Sequence, residues 1–220
     1  MLLLADARLP SGAHVHSGGI EQAVDDGVVS DLGSLSDYLV GRLLTAGVLA
    51  AHAAALSWGL STGPRPLWCA LDAEASARML APSVCATSRR QGRSLLRTGH
   101  AVFGRSALRL CAHSERDGPH LAVAQGAVAA AAGLEALDAA LVAAYGTVAG
   151  PASSAIRLLG LDPVAVAAAQ ARLAGEIDAV ARDAAPSAFA NPEDLPCPGS
   201  PGTDRLSERH AAREERLFAS

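Results

Sequence analysis

The stretch Leu121–Ala149, LAVAQGAVAAAAGLEALDAALVAAYGTVA, decides the fold class. It is built mostly of Ala, Leu and Val, and Ala leads the helix-propensity scale. Gln125, Glu135 and Asp138 interrupt it, so it falls short of the roughly 20 apolar residues that a membrane span requires. Gly126, Gly133 and Gly146 sit inside or beside its helical pattern, where each costs about 1 kcal/mol relative to Ala unless close packing recovers it. Together with Gly47 they predict helices packed with their backbones near one another.

The same composition extends along all 220 residues: half are hydrophobic, yet only 3% are aromatic. Strand-favouring residues are scarce, and nothing alternates at period two for long enough to demand a sheet. An all-α fold follows: a single-domain helical bundle over residues 1–185, a flexible Pro-rich linker over 186–206, and a charged C-terminal partner-binding tail over 207–220. No repeat of fixed period is present.

Ser17 is placed to cap a helix through Ile20 and Val24 towards Gly27, with Glu21 in the first turn where the helix dipole favours a carboxylate. Asp25 and Asp26 read as that helix's end rather than as an acid/base pair. Ser34 with Asp37 resembles a capping box ahead of a long helix reaching Trp58 and Gly59. Asp72 is expected to cap a helix ending near Pro82, and further helices are predicted over 83–97, 101–112, 121–132, 137–150, 152–159 and 164–182.

Residues 186–204 hold five prolines and two glycines, a composition that predicts a linker rather than a packed helix. The sequence after it, RLSERHAAREERLFAS, has helical character but is charged nearly all round until Leu217 and Phe218. A segment with so little apolar face is expected to order on a partner.

The formal charge of -4 gives no basic field for nucleic acid, so protein partners are expected and nucleic acid is not. All 18 basic residues are Arg, which removes the P-loop lysine, Schiff-base chemistry and the Ser-x-x-Lys pattern. Cys69, Cys85, Cys111 and Cys197 form no Cys-x-x-Cys pair and read as bystander thiols. MLLLADARLP lacks a basic leader region, and the chain reads as cytoplasmic with no membrane partner.

His14 and His16, at i and i+2, point the same way in an extended chain and suit nickel, zinc or copper, yet they are half a metal site. Ser17 beside His16 makes no catalytic elbow, since triads are spatial arrangements. Arg89, Arg93 and Arg97 recur at i, i+4 and i+8, a like-charge row that costs an isolated helix roughly 0.2–0.5 kcal/mol per pair. An acidic surface, from this chain or a partner, is expected to face them. Arg205, Arg209 and Arg213 repeat the spacing in the tail.

LPSGAHVHSGGIE over 9–21, TSRRQGRSLLR over 87–97, HLAVAQGAVAAAAGL over 120–134, Tyr145 followed by SSAIRLLGL, and the terminal RLFAS are collinear. Together they resemble the UreF family of urease accessory proteins, helical chaperones of nickel-enzyme maturation. Gln125 stands where an aromatic is common in that family, and GLDP over 160–163 replaces its usual Pro-Leu-Gly-Gln.

The resemblance implies an all-α homodimer without chemistry of its own and with no stably bound cofactor, nickel being handled by the complex. It implies binding to UreD (also called UreH) and to the GTPase UreG, and presentation of that complex to apo-urease. Partner contacts are then expected at Ser17, Glu21, Arg89, Arg93, Arg97, Arg209, Arg213, Arg216, Leu217 and Phe218. His14 and His16 are candidate transient nickel contacts, and an arginine of the 89–97 row is a candidate for acting on the GTPase in trans. The rival readings are a stand-alone nickel-binding metallochaperone and a helical enzyme of unknown substrate.

Overall fold

A computed structural model of the chain describes residues 1–6, 9, 17–61, 67–104, 108 and 117–213. Its elements are α-helical, and no strand occurs among the described residues: α1 (Leu2–Ala5), α2 (Ile20–Asp25), α3 (Leu32–Arg42), a π-helical turn (Leu43–Gly47), α4 (Val48–Leu60), α5 (Leu67–Ala77), α6 (Pro82–Phe103), α7 (Leu121–Ala131), α8 (Ala136–Leu159), α9 (Pro163–Arg172), α10 (Ala174–Ala184), 3-10 turns at Ala185–Phe189 and Pro192–Asp194, and α11 (Pro201–Ala211).

Helix α4 is the axis of the bundle, packed against α7, α8, α5 and α10. Its seam with α7 and α8 is walled by alanine: Ala54, Ala129, Ala139 and Ala143 form a buried cluster of their own. Such small side chains let backbones approach, and at Gly126 a Cβ would lie 2.1 Å from the Ala54 carbonyl oxygen. Gly47 meets Thr147 Oγ1 in the same manner, at 3.0 Å from an added Cβ. Gly133 departs from the expectation: it ends α7 with a φ of +74°, in open space, while Gly146 makes only ordinary contact. Larger aliphatic side chains form two further core clusters, Leu49, Leu56, Leu71 and Leu95 in one and Leu35, Leu39, Val148 and Ile177 in the other.

The long helix expected to reach Trp58 and Gly59 is present as Leu32–Leu60, continuous through the π turn. Its capping box is Asp31 with Ser34, one step earlier than the predicted Ser34 with Asp37. Two predicted helices over 137–159 are one, because Pro151 is accommodated inside α8. Proline lacks the N–H that would bond the carbonyl four residues back, here Thr147. Arg42 Nε donates to that carbonyl at 3.3 Å instead, and Arg42 Nη1 and the Tyr38 hydroxyl donate to the Gly18 carbonyl at 2.8 and 2.9 Å. The predicted helix over 164–182 is broken at Leu173 into α9 and α10. Part of the predicted 101–112 helix belongs to α6, and most of the remainder lies outside the described residues.

Helices Leu32–Leu60 and Ala136–Leu159 are long and apolar enough to cross a membrane, and 50% and 56% of their most apolar windows is buried within the bundle.

The stretch expected as linker is packed over much of its length. Ala188, Pro192 and Leu195 are buried, and a Cβ at Gly59 would lie 1.9 Å from the Ala188 carbonyl oxygen. Arg78 donates to the carbonyls of Leu195 and Glu193 at 2.8 and 3.0 Å. Proline disfavours a helix interior but fits 3-10 turns and helix starts, and α11 begins on Pro201 inside the predicted linker.

Candidate functional site

Two polar clusters tie helices of the bundle together. The first ties α5, α6 and the start of α7. Asp72, fully buried in the middle of α5 rather than at its cap, accepts from Arg89 Nη1 at 2.7 Å and from the His120 backbone N–H at 2.8 Å. Arg89 Nη2 donates to Ser76 Oγ at 2.9 Å, and Arg89 also reaches the Gly118 carbonyl. Ser76 Oγ bonds His120 Nε2 at 2.9 Å, while His120 Nδ1 is buried without a partner. Burial, reinforced by the Arg89 charge, pushes His120 down to about 4. Burial pushes the Asp72 carboxyl up, against the opposing pull of its His120 and Arg89 hydrogen bonds.

This cluster answers the question raised by the arginine row. Arg89 has its counter-charge in the same chain, at Asp72. Arg93 donates to the Asp117 carbonyl and Arg97 to Ser94 Oγ at 3.5 Å, and both side chains lie on the exposed face of α6.

The second cluster joins α2 to α11. Glu21 and His210 meet at 2.8 Å with side chains 5% and 1% exposed. Around them Arg209 Nη1 pairs with Asp26 at 2.6 Å and Arg213 pairs with Asp25. Glu208 accepts from the Ser83 N–H at 2.8 Å, serving the first turn of α6 where Ala81 offers no side-chain cap. Ser17 is buried beside this corner, but its hydroxyl has no partner and caps nothing, because Gly19 is the N-cap of α2 with a φ of +86°. Beside the corner opens a cavity of about 350 Å³ between α4, α6, α8 and α11, with Leu49, Leu95, Val142, Tyr145, Ser207 and His210 among its walls.

The C-terminal segment therefore has ordered, intramolecular contacts as far as Arg213, contrary to the expectation that so charged a segment needs a partner to order. The physical reason is that its counter-charges are supplied from α2. Arg216, Leu217 and Phe218, like His14 and His16, lie outside the described residues. Among the described residues no three His, Cys, Asp or Glu side chains come together as a metal site would require.

The sequence profile of the UreF family matches residues 29–174, which takes in α3 to α9. The chain belongs to the UreF family of urease accessory proteins. Similarity to proteins named urease accessory protein UreF also covers the parts the profile omits, α2 and α11 among them. It is 44% identical to that of Mycobacterium sp. (strain JLS) over 221 residues, spanning 100% of this chain and 97% of the relative. The UreF proteins of Mycolicibacterium vanbaalenii and Mycobacterium tuberculosis (strain ATCC 25618 / H37Rv) are 41% and 40% identical, again over 100% of this chain and 97% of theirs. As a UreF-family member the chain is a urease accessory protein.

Sequence reasoning missed Asp72, His120 and His210 as members of clusters. Asp25 and Asp26 carried a signal that went unused: an acidic pair near one end of the chain and a basic row near the other are complementary.

Proposed function

We propose that this chain is the scaffold of a urease maturation complex: it binds UreD/UreH and the GTPase UreG and presents them to apo-urease for nickel incorporation. The observation that carries this reading is the α2/α11 corner, where Glu21 and Asp25 meet His210 and Arg213, shortly ahead of Arg216, Leu217 and Phe218 in the sequence. A terminal Arg-Leu-Phe carries both charge and large apolar groups, the composition of an anchor into a partner's pocket. The exposed Arg93 and Arg97 offer a second contact surface on α6.

In this reading the chain is a cytoplasmic homodimer that catalyses nothing itself and holds no cofactor, the nickel being cargo of the complex. Its influence on GTP turnover arises from binding one nucleotide state of UreG more tightly than the other, since equal affinity shifts no equilibrium.

The test is co-purification from co-expression. A chain ending at Arg213 keeps α11 and its ion pairs, so it should fold as the full chain does and lose UreD/UreH. Retention of UreD/UreH by that truncated chain would overturn the reading. Equilibrium dialysis against nickel with His14→Ala and His16→Ala separates the scaffold from a stand-alone metallochaperone, which would bind metal tightly without partners and lose it on substitution.

A further inference from the structure

Arg42 stands where α3 runs into the π turn, half-buried, and it lines the cavity between α4, α6, α8 and α11. Its guanidinium is held by backbone alone: Nε donates to the Thr147 carbonyl and Nη1 to the Gly18 carbonyl. Neither acceptor carries a charge. The carboxylates that line the same cavity among the described residues are Asp6 and Asp204, and neither pairs with Arg42. Arg78 and Arg89, half-buried like it, each have a carboxylate, Glu74 and Asp72. A guanidinium drawn out of water without a counter-charge is costly until an anion meets it. The fork is also fixed in place. Pro151 frees the Thr147 carbonyl for it, and a Cβ at Gly18 would lie 3.1 Å from Pro151 Cγ and 3.3 Å from Arg42 Nη2. At the neighbouring Gly19 a Cβ would lie 3.3 Å from Ser207 Oγ, a buried hydroxyl with no partner among the described residues.

We propose that this cavity is a binding site for a small monocarboxylate with a hydrocarbon tail, its head paired with Arg42 and its tail against the aliphatic wall. The head follows from the fork, whose planar donors match a carboxylate better than any other common group. The tail follows from the rest of the lining, where Leu49 and Ala53 of α4, Leu95 of α6, Leu121 of α7 and Val142 of α8 present hydrocarbon. A mostly apolar wall with few polar groups to set orientation is the makeup of a small-molecule site, and about 350 Å³ lies within the usual range of size. The site needs no partner of the chain, so it stands apart from the scaffold reading.

Isothermal titration calorimetry on the full chain tests it, with octanoate as the probe and octanol, acetate and inorganic phosphate beside it. Octanoate should bind at one site per chain, and octanol, which lacks the charge, and acetate, which lacks the tail, should each bind at least about tenfold more weakly. Arg42→Gln should weaken octanoate by about tenfold or more and leave octanol unchanged. Because Arg42 also holds Gly18 and Thr147, a second variant leaves its hydrogen bonds alone: Ala149→Leu, at a half-buried position of the cavity wall, fills the space and should weaken octanoate and octanol alike. Thermal unfolding without ligand shows which variants keep the fold, and if Arg42→Gln does not, Ala149→Leu and the octanoate-to-octanol ratio still decide. Octanol binding as tightly as octanoate, or unchanged octanoate binding by folded Arg42→Gln, would overturn the site. So would phosphate binding in place of octanoate, which would mark a bare oxyanion site. Size-exclusion chromatography supplies the last arm: no octanoate binding together with self-association that Ala149→Leu abolishes would give the cavity to a second copy of the chain and overturn the proposal.

Discussion

Arg89–Asp72 and Arg209–Asp26 are the same ion pair by chemistry and nearly the same by length, 2.7 and 2.6 Å. They differ in their surroundings. Asp72 is sealed inside α5 and its second oxygen is taken by the His120 N–H, so the pair is one bond in a closed network. Arg209 is 56% exposed and stands in water beside Asp26. The first pair fixes how α5, α6 and α7 meet and is costly to break, because a broken buried pair leaves a desolvated charge behind. The second orients a surface helix and is cheap to lose. One kind of contact thus does two jobs in this chain, locking helices together where it is buried and only orienting a side chain where it is exposed.

The sharpest way to break the contrast is Asp72→Ala, which strands the Arg89 guanidinium and the His120 N–H together. It should cost about 3–5 kcal/mol in denaturant unfolding. Arg89→Lys keeps the charge but loses the fork that serves Asp72, Ser76 and Gly118 at once, and should cost about 1–2 kcal/mol.

Acid titration tests the interior from another side. His120, held at about 4 in the fold, stays neutral there while the unfolded chain takes up a proton near 6.5. Its contribution to stability is therefore complete above about pH 6.5 and is lost as pH falls towards 4, with a slope of at most about 1.4 kcal/mol per pH unit. Asp72 opposes this: its raised pKa means the folded state takes up that proton first, which moderates the loss. His120→Gln should flatten the profile in that window, and an unchanged slope would remove His120 as its source. At the small end, Arg209→Ala should change global stability by less than about 1 kcal/mol, with its effect confined to the C-terminal helix and vanishing in high salt.

Much of the fold is legible in the sequence because it depends on local composition. The Ala-rich pattern and the spacing of Leu39, Leu43 and Ala51 mark a helix whatever lies opposite, and Gly126 announces a close approach wherever the neighbour is. The polar clusters are not legible in the same way. Asp72 follows a loop and looks like a cap until Arg89 and His120, 17 and 48 residues on, come to it. The C-terminal charges look uncompensated because their partners Asp26, Asp25 and Glu21 lie 183, 188 and 189 residues away in the chain. Pairing of this kind is a property of the assembled bundle, and no window of sequence contains it.

The π turn Leu43–Gly47 lets the Leu32–Leu60 rod carry a surplus residue without losing its phase. A π turn holds one residue more than an α turn but winds through nearly the same angle, because each of its residues turns the backbone less. The extra residue is absorbed locally, so Leu35 and Leu39 stay in the core while Arg42 stays within reach of the carbonyl that Pro151 frees and the one at Gly18. A one-residue deletion inside the turn should therefore be tolerated better than the same deletion in the middle of α4, which would rotate everything before it by about 100° against the alanine seam.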